Sequence, residues 1–264
     1  IQTGAFDISN HFPDSKAARK ARSLDATKIL IAEALNDWLK RTADRTAYST
    51  LLDYKSAVTY HLIPKFGLVT LSELTATMVK EWLSELDISN KRKNNILIPL
   101  RQIFDDAFHD EIIEKNPLSR VKNLKLNKQE PQPFTKPEVN KILGQLSGGE
   151  RNVYQFAFYS GLRTSELIGL MWCDVDYENN RVEVRRACVR GRIKEPKTQS
   201  GIRRIELRPE ALTALRNQKQ IGSDSEFVFT DPINNSRWAN DQVLRKRVWI
   251  PALLRAQIAY RNPY

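Results

Sequence analysis

The chain has 264 residues, 41% of them hydrophobic, and its 42 Lys and Arg against 31 Asp and Glu leave a formal charge of +11. That length predicts two domains with ordinary cores, and that charge predicts a polyanionic partner. Three classes drop out: a membrane span, for want of a run of about 18 apolar residues; a metal centre, because Cys173, Cys188, His11, His61 and His109 have no ligand spacing; and nucleotide hydrolysis or esterase chemistry, whose glycine loop and Gly-x-Ser-x-Gly elbow are missing.

A cytoplasmic, nucleoid-associated protein with reduced thiols and neither metal nor cofactor is therefore expected. The positive excess is local: residues 1–130 carry 20 basic and 17 acidic groups, whereas residues 181–208 alone carry 10 and 3.

Residues 1–27 show little periodicity and predict an extended arm. From Lys28 the pattern turns helical, with Ile31, Leu35, Trp38 and Leu39 on one face. Leu51, Tyr54, Val58 and Leu62 follow on a second helix, which Pro64 and Gly67 should stop. Thr75 caps a third helix (Val79, Trp82, Leu83, Leu86), and Ser89 or Asn90 caps a fourth (Ile96, Leu100, Phe104, Ala107). Pro99 should bend or split that fourth helix, since its ring removes a backbone donor and crowds the preceding turn. Lys91, Arg92 and Lys93 at its start oppose the helix dipole; a solvated basic face and a phosphate-binding one both fit them.

Asn116-Pro117 ends the helical region, and the polar, proline-stiffened residues 127–134 read as a linker between a domain at 28–126 and another at 135–264. A Thr135/Glu138 capping box opens the second domain, with Val139, Ile142, Leu143 and Leu146 behind it. After Trp172 the period changes to two. Val182 and Val184, with Arg186 as a further position, alternate on one strand, and residues 202–207 alternate on another. Arg190, Arg192 and Lys194 lie between them, on a basic β-hairpin or a three-strand meander. A helix at Pro209–Lys219, a buried Phe227-Val228-Phe229 segment and a last helix toward Ala256 complete the pattern. The fold class is mainly α with a small antiparallel β-hairpin or sheet.

The most informative stretch is Phe158 to Leu170. Val153, Phe156, Ala157 and Ser160 follow a helical period, Gly161 suits a left-handed residue after the last turn, and Arg163 opens a new helix, which should leave it half buried. Glu166 can hold the planar fork of Arg163 still and leave N–H donors for an outside anion. Taken alone, the stretch also fits a helix-start arginine paired with its own glutamate.

Gly161-Leu162-Arg163-x-x-Glu166-Leu167 on helices, followed by Pro196-Lys197-Thr198-x-x-Gly201-x-Arg203-x-Ile205 after an all-helical domain, resembles the tyrosine recombinases, in particular the integrases of phages and integrative elements. The resemblance covers most of the chain. Phe6 to Pro13 looks like the end of an arm-type DNA-binding segment, so residues 1–27 would be its remnant. Pro99 to Ala107, which includes Arg101, looks like the core-binding helix.

The resemblance implies a four-helix, SAM-like core-binding domain at 28–126 and part of a mixed α+β catalytic domain at 135–264. It matches Arg163 to the catalytic arginine, Glu166 to its acidic support and Lys197 to the hairpin lysine. A guanidinium held in advance would stabilise the charge that grows on a phosphodiester in its transition state. Lys197, 34 residues after Arg163, would protonate the departing 5′ oxygen, although phosphate anchoring is also open to it. Lys91, Arg92, Lys93, Arg101, Arg190, Arg192, Lys194 and Arg203 are the expected DNA contacts.

The family continues with His-x-x-Arg, a second histidine or tryptophan, and the tyrosine nucleophile, all expected beyond residue 264. Tyr264 itself, without a neighbouring base, would keep a pKa near 10 and is not the nucleophile. The expectation is thus an inactive, truncated and monomeric portion of a site-specific recombinase. Its partner would be double-stranded DNA with attachment-type sites. The parent would be a tetramer on DNA, working with a host DNA-bending protein and an excisionase. The alternative is a cleavage-incompetent, recombinase-like DNA-binding regulator.

Overall fold

The structure, a computed structural model, describes residues 28–126, 130–195, 202–222 and 224–263. The expectations for the 1–27 arm, Lys197 and Tyr264 lie outside the described residues. The chain divides into two compact units between Gln129 and Glu130, each with its own buried cluster.

In the first unit, α1 (Ile31–Ala43) buries Ile31, Leu35 and Trp38, one face of a 3.6-residue period. Helix α2 runs through Tyr48–Ala57, a π segment Val58–Leu62, and Ile63–Phe66. Pro64 was expected to help stop this helix. Instead the chain widens into the π turn just ahead of the ring, which makes room for it, and the helix ends at Gly67. Helix α3 (Ala76–Glu85) is capped by Thr75, whose hydroxyl accepts from the Met78 N–H.

Ser89, rather than Asn90, caps α4 (Asn90–His109). Pro99 does not split α4: Ile96, Leu97, Leu100, Ile103 and Phe104 hold both sides of it in the core, which outweighs one lost backbone bond. Beyond a 3₁₀ turn at Pro117–Arg120, the Asn94 side chain donates to the Leu124 carbonyl and accepts from its N–H, both at 2.9 Å. Asn90 likewise donates to the Lys125 carbonyl at 2.9 Å, so the departing strand of chain is fastened along α4.

The second unit opens with α5 (Lys136–Leu143), whose Thr135/Glu138 capping box closes in both directions. Helix α6 (Gly148–Ser160) ends on Gly161 at φ 68, the left-handed position that glycine fills without strain. The short α7 (Thr164–Gly169) follows at once.

Then comes a three-stranded antiparallel sheet, in the order β1 (Val175–Asp176), β2 (Arg181–Val184) and β5 (Arg203–Glu206), with Val182 opposite Ile205. The hairpin of β3 (Ala187–Val189) and β4 (Arg192–Lys194) is a separate two-stranded sheet rather than the middle of a meander. Arg186 lies outside β2 because its guanidinium turns back to Asp174, at 2.6 Å, where the chain leaves the sheet.

Helix α8 (Pro209–Ile221), the short pair β6 (Thr230–Asp231) and β7 (Ser236–Arg237), and α9 complete the unit. Helix α9 comprises Asp241–Leu244, a π segment Arg245–Trp249, and Ile250–Arg255, and again the π turn precedes a proline, Pro251. Trp249 is central to this core. Its ring stacks on Tyr154 at 4.9 Å and meets Phe134 edge-on at 5.5 Å, while its indole N–H donates to the Arg261 carbonyl at 2.8 Å. Among the described residues no helix is long and apolar enough to cross a membrane.

Phe104 is fully buried in the first core. Phe104→Ala should lower the stability measured by urea unfolding by about 3–5 kcal/mol. Leu68→Ala, at a side chain that is 90% exposed, should change it by less than about 0.5 kcal/mol.

Candidate functional site

The left-handed Gly161 turns the chain out of α6, Leu162 and Thr164 take the inward positions, and Arg163 is left outside as the N-cap of α7. Its side chain is 69% exposed, so the half-buried arginine expected from the sequence is corrected. What is buried is the carboxylate. Glu166 is 7% exposed and accepts from the Arg163 backbone N–H at 2.9 Å and from the Arg163 Nη1 at 3.0 Å.

The planar fork on Glu166 comes from another element. Arg203 on β5 donates Nη1 to Oε1 at 3.0 Å and Nη2 to Oε2 at 2.8 Å, the bidentate geometry in which a guanidinium binds a carboxylate most firmly. Arg203, expected among the DNA contacts, turns its fork onto this carboxylate. Arg163 gives one guanidinium nitrogen to Glu166 and keeps most of its side chain in solvent.

Burial alone would raise the Glu166 carboxyl. Hydrogen bonds from Arg203 and from the Arg163 backbone, together with the Arg203 charge, more than offset that and hold it below its ordinary value. Two cations on one anion leave a local positive charge whose exposed member is fixed in place.

The basic hairpin leans on the same helix. An added Cβ at Gly169, the last residue of α7, would lie 3.2 Å from the Ala187 Cα and 3.3 Å from the Arg186 carbonyl, so any side chain there would push β3 back by a few tenths of an ångström. The Arg186–Asp174 pair, with the Asp174 side chain 1% exposed, fastens the base of the hairpin. Arg190 and Gly191 both have positive φ (50 and 78), as a two-residue type I′ turn requires. Arg190 and Arg192 are exposed and Lys194 is half-buried.

In the first unit, α4 separates the three basic residues at its start. Lys91 is exposed, Arg92 donates to the Ser56 hydroxyl at 3.1 Å, and Lys93 donates to the Leu83 carbonyl at 2.7 Å. Arg101 donates to the Val121 carbonyl at 2.8 Å. Among the described residues no three His, Cys, Asp or Glu side chains gather as a metal site would need. Sequence reasoning missed Asp174 and Gly169, whose partners lie 12 or more residues away with no periodic signal to announce them.

Comparison with known proteins matches residues 132–249 to the phage integrase family and residues 31–86 to the phage integrase N-terminal SAM-like domain. The prophage integrase IntR of Escherichia coli (strain K12) is 28% identical over all of this chain and 74% of its own length. The ICEBs1 integrase of Bacillus subtilis (strain 168) is 31% identical over 61% of this chain, a match that spans 45% of that protein. Among solved structures, the Tn1549 transposon integrase in complex with transposon right end DNA superposes with a TM-score of 0.66 at 25% identity, covering 78% of this chain and 73% of that one. A lambda integrase tetramer bound to a Holliday junction shares the fold at 16% identity, with a TM-score of 0.74, covering 96% of this chain and 71% of that one.

Because the folded-state Glu166 is depressed below its ordinary 4.5, its stabilising contribution is complete above that pH and is lost as pH falls through the folded-state value. Glu166→Gln should therefore lower stability at pH 7 by about 1–3 kcal/mol in urea unfolding. The gap to wild type should narrow steadily below pH 4.5; a gap that stays constant into acid would detach the carboxylate's charge from the effect.

Proposed function

Since the chain belongs to the phage integrase family, we propose that it binds duplex DNA and carries part of the active site of a site-specific tyrosine recombinase. The observation that supports this most is the exposed Arg163, steadied by a buried carboxylate that Arg203 also grips, beside a basic hairpin. In this reading the full protein breaks a phosphodiester by attack of a tyrosine hydroxyl on phosphorus, forming a 3′-phosphotyrosyl bond and releasing the 5′ oxygen. The reverse attack by a 5′ hydroxyl rejoins the strand.

Arg163 offers N–H donors to the non-bridging phosphate oxygens, whose charge grows in the pentacoordinate transition state. Glu166 positions Arg163, and Arg203 positions Glu166. Lys197 gives its ammonium proton to the departing 5′ oxygen. Arg190, Arg192 and Lys194 contact backbone phosphates, as do Lys91 and the donors that Arg92, Lys93 and Arg101 do not use internally.

Residues 28–126 form the DNA-binding domain and residues 135–264 part of the catalytic domain. The nucleophile's role is assigned to none of the described residues, and the chain alone should be inactive in cleavage. Assembly of the full protein as a tetramer on paired attachment-type sites, helped by a DNA-bending protein and an excisionase, belongs to the same reading.

Each neutralised phosphate contributes roughly 0.9 to the slope of log affinity against log salt. The triple change Arg190→Ala, Arg192→Ala, Lys194→Ala should flatten that slope by about two to three units in a duplex-binding titration, and an unchanged slope would remove the hairpin from the interface.

In the full protein, Arg163→Ala should abolish covalent adduct formation on a nicked substrate while leaving binding intact. Lys197→Ala should slow it and be rescued by a 5′-thiolate leaving group, which needs little protonation. Binding without any adduct in the full wild-type protein would favour a cleavage-incompetent DNA-binding regulator.

A further inference from the structure

The β3–β4 hairpin has only three residues in each strand, and a pair this short is marginal without tertiary support. Its turn is also unusual in composition. Type I′ turns favour Asn-Gly because both central residues take positive φ, yet here the first is Arg190 at φ 50. Local preference therefore does not hold the tip, and something else must.

Arg237 on β7 supplies that hold. Its Nη2 donates to the Gly191 carbonyl at 2.7 Å, and its Nη1 donates to the Cys188 Sγ at 3.1 Å and to the Trp238 carbonyl at 3.4 Å. The guanidinium also lies 5.9 Å from the Phe227 ring centroid. The Cys188 thiol, buried at 1% exposure, reaches toward the Ala239 carbonyl at 3.8 Å. An added Cβ at Gly191 would come within 3.4 Å of that same carbonyl. The residues flanking Gly191 are Arg190 and Arg192, both exposed.

We propose that Arg237 is a positioning residue for DNA binding: it clamps the Arg190–Gly191 turn from behind, so that Arg190 and Arg192 meet the phosphate backbone as one preset pair. The inference rests on the DNA-binding reading above. A planar fork suits the task because it can serve the turn carbonyl and the neighbouring sulfur together, whereas an ammonium on a flexible stem serves one acceptor at a time. Without the clamp, ordering the turn at the moment of binding would cost more than the two contacts return, so neither Arg190 nor Arg192 would settle on its phosphate.

A double-mutant cycle on the whole chain separates positioning from a direct contact. The probe is a mixed-sequence duplex of about 30 base pairs, titrated across a range of salt. Arg237→Met should weaken binding about tenfold and flatten the salt slope by about two, as if both arms had been lost; one direct phosphate contact is worth only about 0.9. Arg237→Lys, which keeps the charge and loses the fork, should fall most of the way to the Met variant. In an Arg190→Ala, Arg192→Ala background, Arg237→Met should cost nothing further.

An equal loss in both backgrounds, or full binding by the Lys variant, would show Arg237 acting by its own charge and overturn the proposal. So would a lowered melting temperature with an unchanged slope, since destabilisation reduces the folded fraction without changing the number of phosphates met. If the Arg190→Ala, Arg192→Ala protein itself binds like wild type, the hairpin reading fails, and this inference with it; if that protein is weakened and Arg237→Met is silent, only this inference fails.

Discussion

A carboxylate removed from water has to be paired, and the arrangement around Arg163 follows from how Glu166 meets that demand. An unpartnered buried charge costs several kcal/mol. Glu166 avoids this with two hydrogen bonds from Arg203, one from the Arg163 guanidinium and one from the Arg163 backbone. The Arg203 donors come from β5, 37 residues beyond Glu166 in sequence. The strand must therefore lie beside the start of the helix, and the antiparallel pairing of β2 with β5 places it there. Glu166 also sits in the first turn of α7, where the helix dipole favours an anion. A site that presents positive charge outward is thus organised by a negative charge within.

The basic hairpin shows the same economy of means. Its own strands are too short to define its position, so position is set from outside. Gly169 allows main chain to touch main chain, Asp174 holds Arg186 at the base, and Arg237 reaches the turn. Each tie ends on a backbone carbonyl, a backbone contact, a buried carboxylate or a buried sulfur. These three ties reach the hairpin at its base, along β3 and at its turn.

In the first unit, packing overrides local backbone chemistry. Pro99 stays within a continuous α4 because the apolar stripe on both sides of it is buried, and Pro64 in α2 is accommodated by one widened turn. The unit's basic residues also serve the fold. Arg92, Lys93 and Arg101 each give a donor to a neighbouring element, joining α4 to α2, to the end of α3 and to the segment after the 3₁₀ turn.

Much of this was legible in the amino-acid sequence, for reasons of range. The helices of both units, the Thr75 and Thr135 caps, the left-handed Gly161 and the pairing of Arg163 with Glu166 all depend on residues within about one helical turn of each other, and periodicity or a short motif expresses such relations directly. The concentration of charge in residues 181–208 is likewise a property of composition. Tertiary structure decided what depends on distant partners. Arg203 was expected among the DNA contacts, and only the register of β5 against β2 turns its fork onto Glu166. The exposure of Arg163 depended on which neighbours took the inward places, and the division of the basic region into a sheet strand and a separate hairpin depended on Asp174, twelve residues before Arg186. A one-dimensional pattern records which side of an element is apolar. It does not record which element will lie against that side, and the placement of each charged group at this site was decided by that second fact.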